Sequence, residues 1–198
     1  MRQWAGKRYW LVGASEGLGR ELALILSRAG VELVLSARNA ARLDALVAEL
    51  PGKARALPMD VADPASVRAA AAELGPVDGM VYLAGLYWPM AAKDWNADRV
   101  EAMCDVNLTG CARVLGQVVP GMVARDDGHV VITGSLAGFR GLPGSVGYAA
   151  SKAGVMNLAE SLHADLRGTG VAVQLVNPGF IHTRLTAQNE FSMPFIMD

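Results

Sequence analysis

Cysteine is nearly absent from this chain. The two that occur, Cys104 and Cys111, fall on one expected helix, where their seven-residue spacing separates the Cα atoms by about 10 Å, too far for a disulfide. Both read as small packing residues, and a reducing cytoplasm is the expected setting. The three histidines, His129, His163 and His182, share no ligand spacing, so no metal site is expected. An excess of either charge is missing too. With 18 basic and 19 acidic residues the formal charge is −1, which provides no field to attract nucleic acid or an anionic membrane. The longest apolar stretch, residues 79–92, is broken by Gly85 and Pro89 and is too short to cross a bilayer. Residues 1–7 leave no room for a signal peptide before the first expected strand.

What is present is enough apolar material for a large core: 198 residues, 52% hydrophobic and 19% charged. This suits one globular domain over residues 1–198. Short runs at 9–12, 32–36, 54–59, 79–83, 129–133 and 171–176 are rich in Val, Ile or Leu and apolar on both faces, as in a buried parallel sheet. Helical patterns lie between them at 18–29, 40–50, 64–74, 98–124 and 148–167, with Asp63-Pro64 as a cap and first residue, and Gly168 as a stop. The alternation predicts a Rossmann-like, doubly wound α/β fold, with helices on both faces of a mainly parallel sheet. Residues 177–198 have no clear period and read as a loop with apolar anchors.

Directly after the first strand comes Gly13-Ala14-Ser15-Glu16-Gly17-Leu18-Gly19, followed by a helix. Glycines there let the backbone turn tightly and approach a pyrophosphate, whose charge the helix N-terminus favours. The spacing is a relative of the usual dinucleotide fingerprint, and an ordinary glycine-rich turn has the same look. At the end of the second strand an acid would accept from the ribose of NAD, whereas an arginine accommodates the 2′-phosphate of NADP. The stretch Leu35-Ser36-Ala37-Arg38-Asn39 lacks the acid and offers Arg38, so NADP(H) is the expected cofactor and NAD(H) the alternative. Glu16 counts mildly against this, because a carboxylate repels a phosphate.

Near the end stand Tyr148 and Lys152, four apart, with Ser135 upstream. On a helix the pair shares one face, about 6 Å apart along the axis. A neighbouring ammonium lowers a phenol's pKa, so the pair could act as an acid/base near neutral pH. Such a spacing also occurs by chance in solvated helices, and its meaning depends on what surrounds it.

Taken together, these residues resemble the short-chain dehydrogenase/reductase family from about residue 7 to residue 183. Gly13, Gly17 and Gly19 match its glycine signature, with Ser15, Glu16 and Leu18 in the same loop. Asp60-Val61 resembles its adenine-contacting pair, Ala84-Gly85 the end of its Asn-Asn-Ala-Gly motif, and Asn107 its helix asparagine. Ser135, Tyr148 and Lys152 match its remaining catalytic positions. Asn177-Pro178-Gly179, with Ile181 and Thr183, matches its nicotinamide loop. The resemblance implies carbonyl–alcohol oxidoreduction of a small molecule. Tyr148 would be the acid/base, Lys152 would lower its pKa and hold the nicotinamide ribose, and Ser135 would position the substrate oxygen. Asn107 would order the long helix and a water feeding a proton relay. It also implies a homodimer packed through the 98–124 and 148–167 helices.

Three departures from the pattern stand out. Val12 replaces the usual threonine, and Tyr82-Leu83 replaces the asparagine pair, so the central sheet must be tied together in another way. The chain also ends before the helix and last strand with which relatives continue. A catalytically silent NADP(H)-binding sensor or scaffold of the same fold is therefore the second reading. Tyr87, Trp88, Met90 and Trp95 either line a substrate pocket or pack under a loop. Residues 191–197 form either an apolar lid or a tail, and His182 either faces the cleft or does not.

Overall fold

The computed structural model describes residues 3–189 and 191–198. Six parallel strands form one sheet in the order β3-β2-β1-β4-β5-β6: β1 Arg8–Val12, β2 Glu32–Ser36, β3 Ala54–Ala56, β4 Gly79–Tyr82, β5 Gly128–Thr133 and β6 Val171–Val176. The order reverses between β1 and β4, and in an open α/β sheet that switch point opens a crevice beyond the carboxyl ends of the strands.

Alternate residues of each strand feed opposite cores. From β1, Trp10 and Val12 point into one cluster with Met80, Ile132, Val114 and Val155. Tyr9 and Leu11 point into the other with Leu33, Leu35, Leu26 and Leu43. Both faces are therefore apolar, which is why the strands read as unbroken hydrophobic runs. Trp10 satisfies its buried indole N–H on Ser36 Oγ at 2.8 Å, and Ser36 donates in turn to the Leu57 carbonyl at 2.7 Å. One serine thus cross-links the segments of β1, β2 and β3.

The helices that cover the sheet are α1 Gly17–Arg28, α2 Ala40–Glu49, α3 Pro64–Leu74, α4 Ala97–Cys104, α5 Gly110–Ala124 and α6 Val146–Asp165. Asn39, Asp63 and Asn96 cap α2, α3 and α4 by accepting from backbone N–H groups. Two expectations need correction. The third strand ends at Ala56 rather than continuing to residue 59, although Leu57 and Met59 still donate to Leu35 and Ala37. The expected 98–124 helix is not uniform: a π-helical turn, Asp105–Thr109, separates α4 from α5. Among the described residues no helix is long and apolar enough to cross a membrane.

Candidate active site

The loop joining β1 to α1 begins at Gly13, whose φ is +95°. A Cβ there would lie 2.4 Å from the Ala84 backbone nitrogen, so only glycine lets this loop cross so close to the end of β4. That crossing opens the start of α1 onto a cleft of about 740 Å³ beyond the carboxyl ends of the strands. Gly13, Ser15, Glu16, Leu18 and Gly19 line its floor. Arg38, Asp60 and Val61 line one end, Ala84 and Gly85 the middle, and Tyr148, Lys152, Pro178, Gly179, Ile181 and Thr183 the other end.

Asp60 Oδ1 accepts from the Ala62 N–H at 2.9 Å, and the Val61 carbonyl accepts from Arg113 at 3.1 Å. Arg113 also pairs with Asp105 at 2.8 Å, which ties this end of the cleft to the π turn. A nicotinamide dinucleotide fits this cleft. The glycine loop presents backbone and a helix start where a pyrophosphate would lie, and guanidinium groups gather at the Arg38 end.

Within the π turn, Asn107 is buried and makes three side-chain contacts. Its Oδ1 accepts from the Leu86 N–H at 2.7 Å, and its Nδ2 donates to the Leu86 carbonyl at 3.0 Å and to Ser151 Oγ at 2.9 Å. Ser151 donates to the Tyr148 carbonyl at 2.8 Å. One asparagine thereby joins the loop after β4 to the first turn of α6, which carries Tyr148. The missing asparagine pair is answered by Tyr82 itself. Its phenol donates to the Val106 carbonyl at 2.6 Å, and Gly110 leaves the space, since a Cβ there would lie 2.8 Å from the Tyr82 oxygen.

Ser135 follows β5, caps the short 3₁₀ turn Leu136–Gly138 by accepting from the Ala137 N–H at 3.2 Å, and stands beside the Tyr148 phenol. Lys152 is almost fully buried. Its Nζ donates to the Thr133 carbonyl at 2.8 Å and stands 5.8 Å from the centre of the Tyr148 ring. Burial lowers the Lys152 pKa to about 8. The Tyr148 phenol moves the other way: burial raises its pKa, and Ser135 offsets part of the rise. In these surroundings desolvation dominates the Tyr148 shift, while the Lys152 ammonium is directed at the Thr133 carbonyl.

Three side chains unremarked in the sequence also matter. Arg42 and Arg184 line the cleft and both grip Glu16. Arg42 Nη1 donates to Glu16 at 2.8 Å and Arg184 Nε at 3.0 Å, and Arg184 Nη2 gives a further contact. Arg184 first, and Arg42 with it, hold the Glu16 carboxyl below its usual pKa, so Glu16 enters the cleft as a compensated anion. Arg42 lies four residues beyond Arg38, a spacing that signals a shared side; nothing local signals the contact between residues 16 and 184. The third is Asn189, whose Oδ1 accepts from the Tyr87 phenol at 2.8 Å. Tyr87 also packs edge-to-face on Tyr148 with ring centres 4.9 Å apart. Of the four residues after β4 with two readings, Tyr87 reaches the site. Trp88 sits under Arg99, Met90 is buried, and Trp95 is 56% exposed. His182 pairs with Asp198 at 3.7 Å and does not line the cleft. Phe191, Phe195 and Met197 lie outside the lining as well, with Phe195 96% exposed.

Residues 7–192 match the short chain dehydrogenase family model. An uncharacterized oxidoreductase of Myxococcus xanthus is 44% identical over 195 residues, covering 95% of this chain and 77% of the relative. The 3-oxoacyl-acyl-carrier-protein reductase FabG of Thermotoga maritima is 33% identical over 193 residues, covering 91% of this chain and 76% of that protein. A solved short chain dehydrogenase/reductase family protein superposes with a TM-score of 0.90 at 30% identity, over 94% of this chain and 80% of its own. The chain belongs to the short-chain dehydrogenase/reductase family, nicotinamide-dependent oxidoreductases that act on carbonyl and alcohol groups.

Proposed function

We propose that this protein interconverts a small-molecule ketone or aldehyde and its alcohol using NADP(H), with Tyr148 as the acid/base. The observation that carries this is one cleft that the glycine loop, Arg38, Tyr148 and Lys152 line together, with Ser135 beside Tyr148. Bound NADPH supplies a hydride to the carbonyl carbon. The Tyr148 phenol gives its proton to the carbonyl oxygen, so carbon and oxygen together gain the two electrons and two hydrogens of the alcohol. Ser135 donates to that oxygen as negative charge develops on it. The phenolate left behind is stabilised by the Lys152 ammonium, whose pKa of about 8 keeps a proton available near neutral pH. Asn107 holds the turn that seats Tyr148 against Leu86 and Ser151.

NADP(H) is favoured over NAD(H) because the end of β2 offers Arg38 and no acid. Among the described residues Arg38 makes no ion pair. The same reading takes residues 1–198 as one domain, cytoplasmic, and paired as a homodimer through α5 and α6. A panel of ketones and alcohols assayed with NADPH and NADH tests it. Turnover faster with NADPH is expected, and tight NADPH binding without turnover on any carbonyl would favour the silent binding protein instead.

A further inference from the structure

At the Arg38 end of the cleft, one carboxylate holds two guanidinium groups from distant parts of the chain. Glu16 belongs to the loop after β1, Arg42 to the first turn of α2, and Arg184 to the segment after β6. Their side chains are 38%, 57% and 71% exposed. Asn39 fixes where Arg42 starts, accepting its backbone N–H at 2.9 Å. Arg38, Arg42, Arg184 and Glu16 all line the same cleft, with Asp60 nearby. The cationic side of this rim therefore exceeds what Glu16 neutralises, and Arg42 already makes an ion pair of the kind a phosphate would offer.

We infer that Arg42 is a specificity-determining residue that exchanges Glu16 for the 2′-phosphate of NADP(H), with Glu16 remaining on Arg184. The inference rests on the NADP(H) reading above. Exposed ion pairs are weak and exchange readily. A phosphate monoester carries about −1.5 to −2 charges at pH 7 and three acceptor oxygens, so it outcompetes a single carboxylate for a guanidinium. Arg184 is the reason the exchange leaves no bare charge: Glu16 keeps its bidentate partner when Arg42 departs, and the segment after β6 stays tied to the glycine loop across the cleft. Glu16 would then act as an internal stand-in for the phosphate. NADH, which has no group to draw Arg42 away, would leave the Arg42–Glu16 pair intact.

Equilibrium titration of the full chain with NADPH and with NADH, read by nucleotide fluorescence at one fixed salt concentration, tests this without reference to turnover. Arg42→Gln is expected to weaken NADPH binding about tenfold, the size of one lost charge-assisted hydrogen bond, and to leave NADH within twofold. Glu16→Gln, which removes the competing carboxylate, is expected to tighten NADPH severalfold and leave NADH unchanged. Equal effects of Arg42→Gln on both nucleotides, or none on either, would overturn the inference, as would a Glu16→Gln variant that fails to gain on NADPH. Arg38→Gln separates this failure from that of the reading beneath it. A wild type without NADPH preference sinks both. A wild type whose preference vanishes in Arg38→Gln but survives in Arg42→Gln sinks only the role of Arg42. Arg38 and Arg42 are exposed and the Glu16 side chain is half-buried, so none of the three substitutions touches the core.

Discussion

Burial, more than charge, governs the two titratable groups at the catalytic end of the cleft. A Lys152 pKa lowered from 10.5 to about 8 has a signed consequence. Between these values the unfolded chain binds a proton that the folded chain has released, so this group's contribution to stability rises with pH across that window. Tyr148 and Cys111, both raised by burial, act in the opposite sense at the alkaline end. Subtracting a Lys152→Met variant cancels the Tyr148 contribution, and that of Cys111 apart from its coupling to Lys152. Chemical denaturation of the two proteins from pH 7 to 10.5 should show the wild type gaining on the variant by on the order of 3 kcal/mol. A difference independent of pH would mean that Lys152 is solvated in the folded protein. Residues of this kind are only half legible in the sequence. The pairing of Tyr148 with Lys152 follows from helical spacing, but the direction of the Tyr148 shift depends on how deeply the first turn of α6 is buried, which spacing does not encode.

The π turn Asp105–Thr109 ties the structure together at the level of its elements. It lies between α4 and α5, displays Asn107 toward Leu86 and Ser151, and has its Val106 carbonyl taken by the Tyr82 phenol. Tyr82→Phe would leave that carbonyl without its donor, at a cost of roughly 1–3 kcal/mol. Gly110→Ala would push a methyl group toward the same phenol, a cost of about 1–3 kcal/mol. Urea denaturation measures both. Because the two substitutions act on one contact, the double variant should lose less than the separate losses combined. Strictly additive losses would show that Tyr82 and Gly110 are not coupled. Most elements were legible, because strands apolar on both faces and capped helices such as Asp63-Pro64 announce themselves locally. The π turn was not, since one extra residue in a helical turn leaves the apolar period almost unchanged. The early end of β3 escaped for a related reason: Leu57 and Met59 still donate to Leu35 in β2 and to Ala37 just after it, without regular pairing.

Over the whole molecule, the cleft draws on segments that the chain order keeps far apart. The contact from Glu16 to Arg184 bridges its first and last thirds, and Tyr87 to Asn189 joins the middle and last thirds on the catalytic side. The ordered motifs allowed the cleft's existence to be read, while these closing contacts follow only from the folded path of the segment after β6. A cofactor filling such a cleft stabilises the fold by mass action. NADPH at one hundred times its Kd should add about 2.7 kcal/mol, raising Tm by roughly 5–11 °C for a domain of this size. An unchanged Tm in differential scanning fluorimetry would argue against binding there. Light scattering after size exclusion should give twice the 20.8 kDa chain mass, and a monomer would remove the α5 and α6 pairing. The most direct measurement is of Tyr148→Phe beside the wild type, on whichever carbonyl of the panel the wild type reduces with NADPH. Loss of an acid/base group should lower kcat by roughly 10²–10⁴-fold while NADPH binds within about twofold of wild type; unchanged turnover would contradict the assignment of Tyr148 as the acid/base.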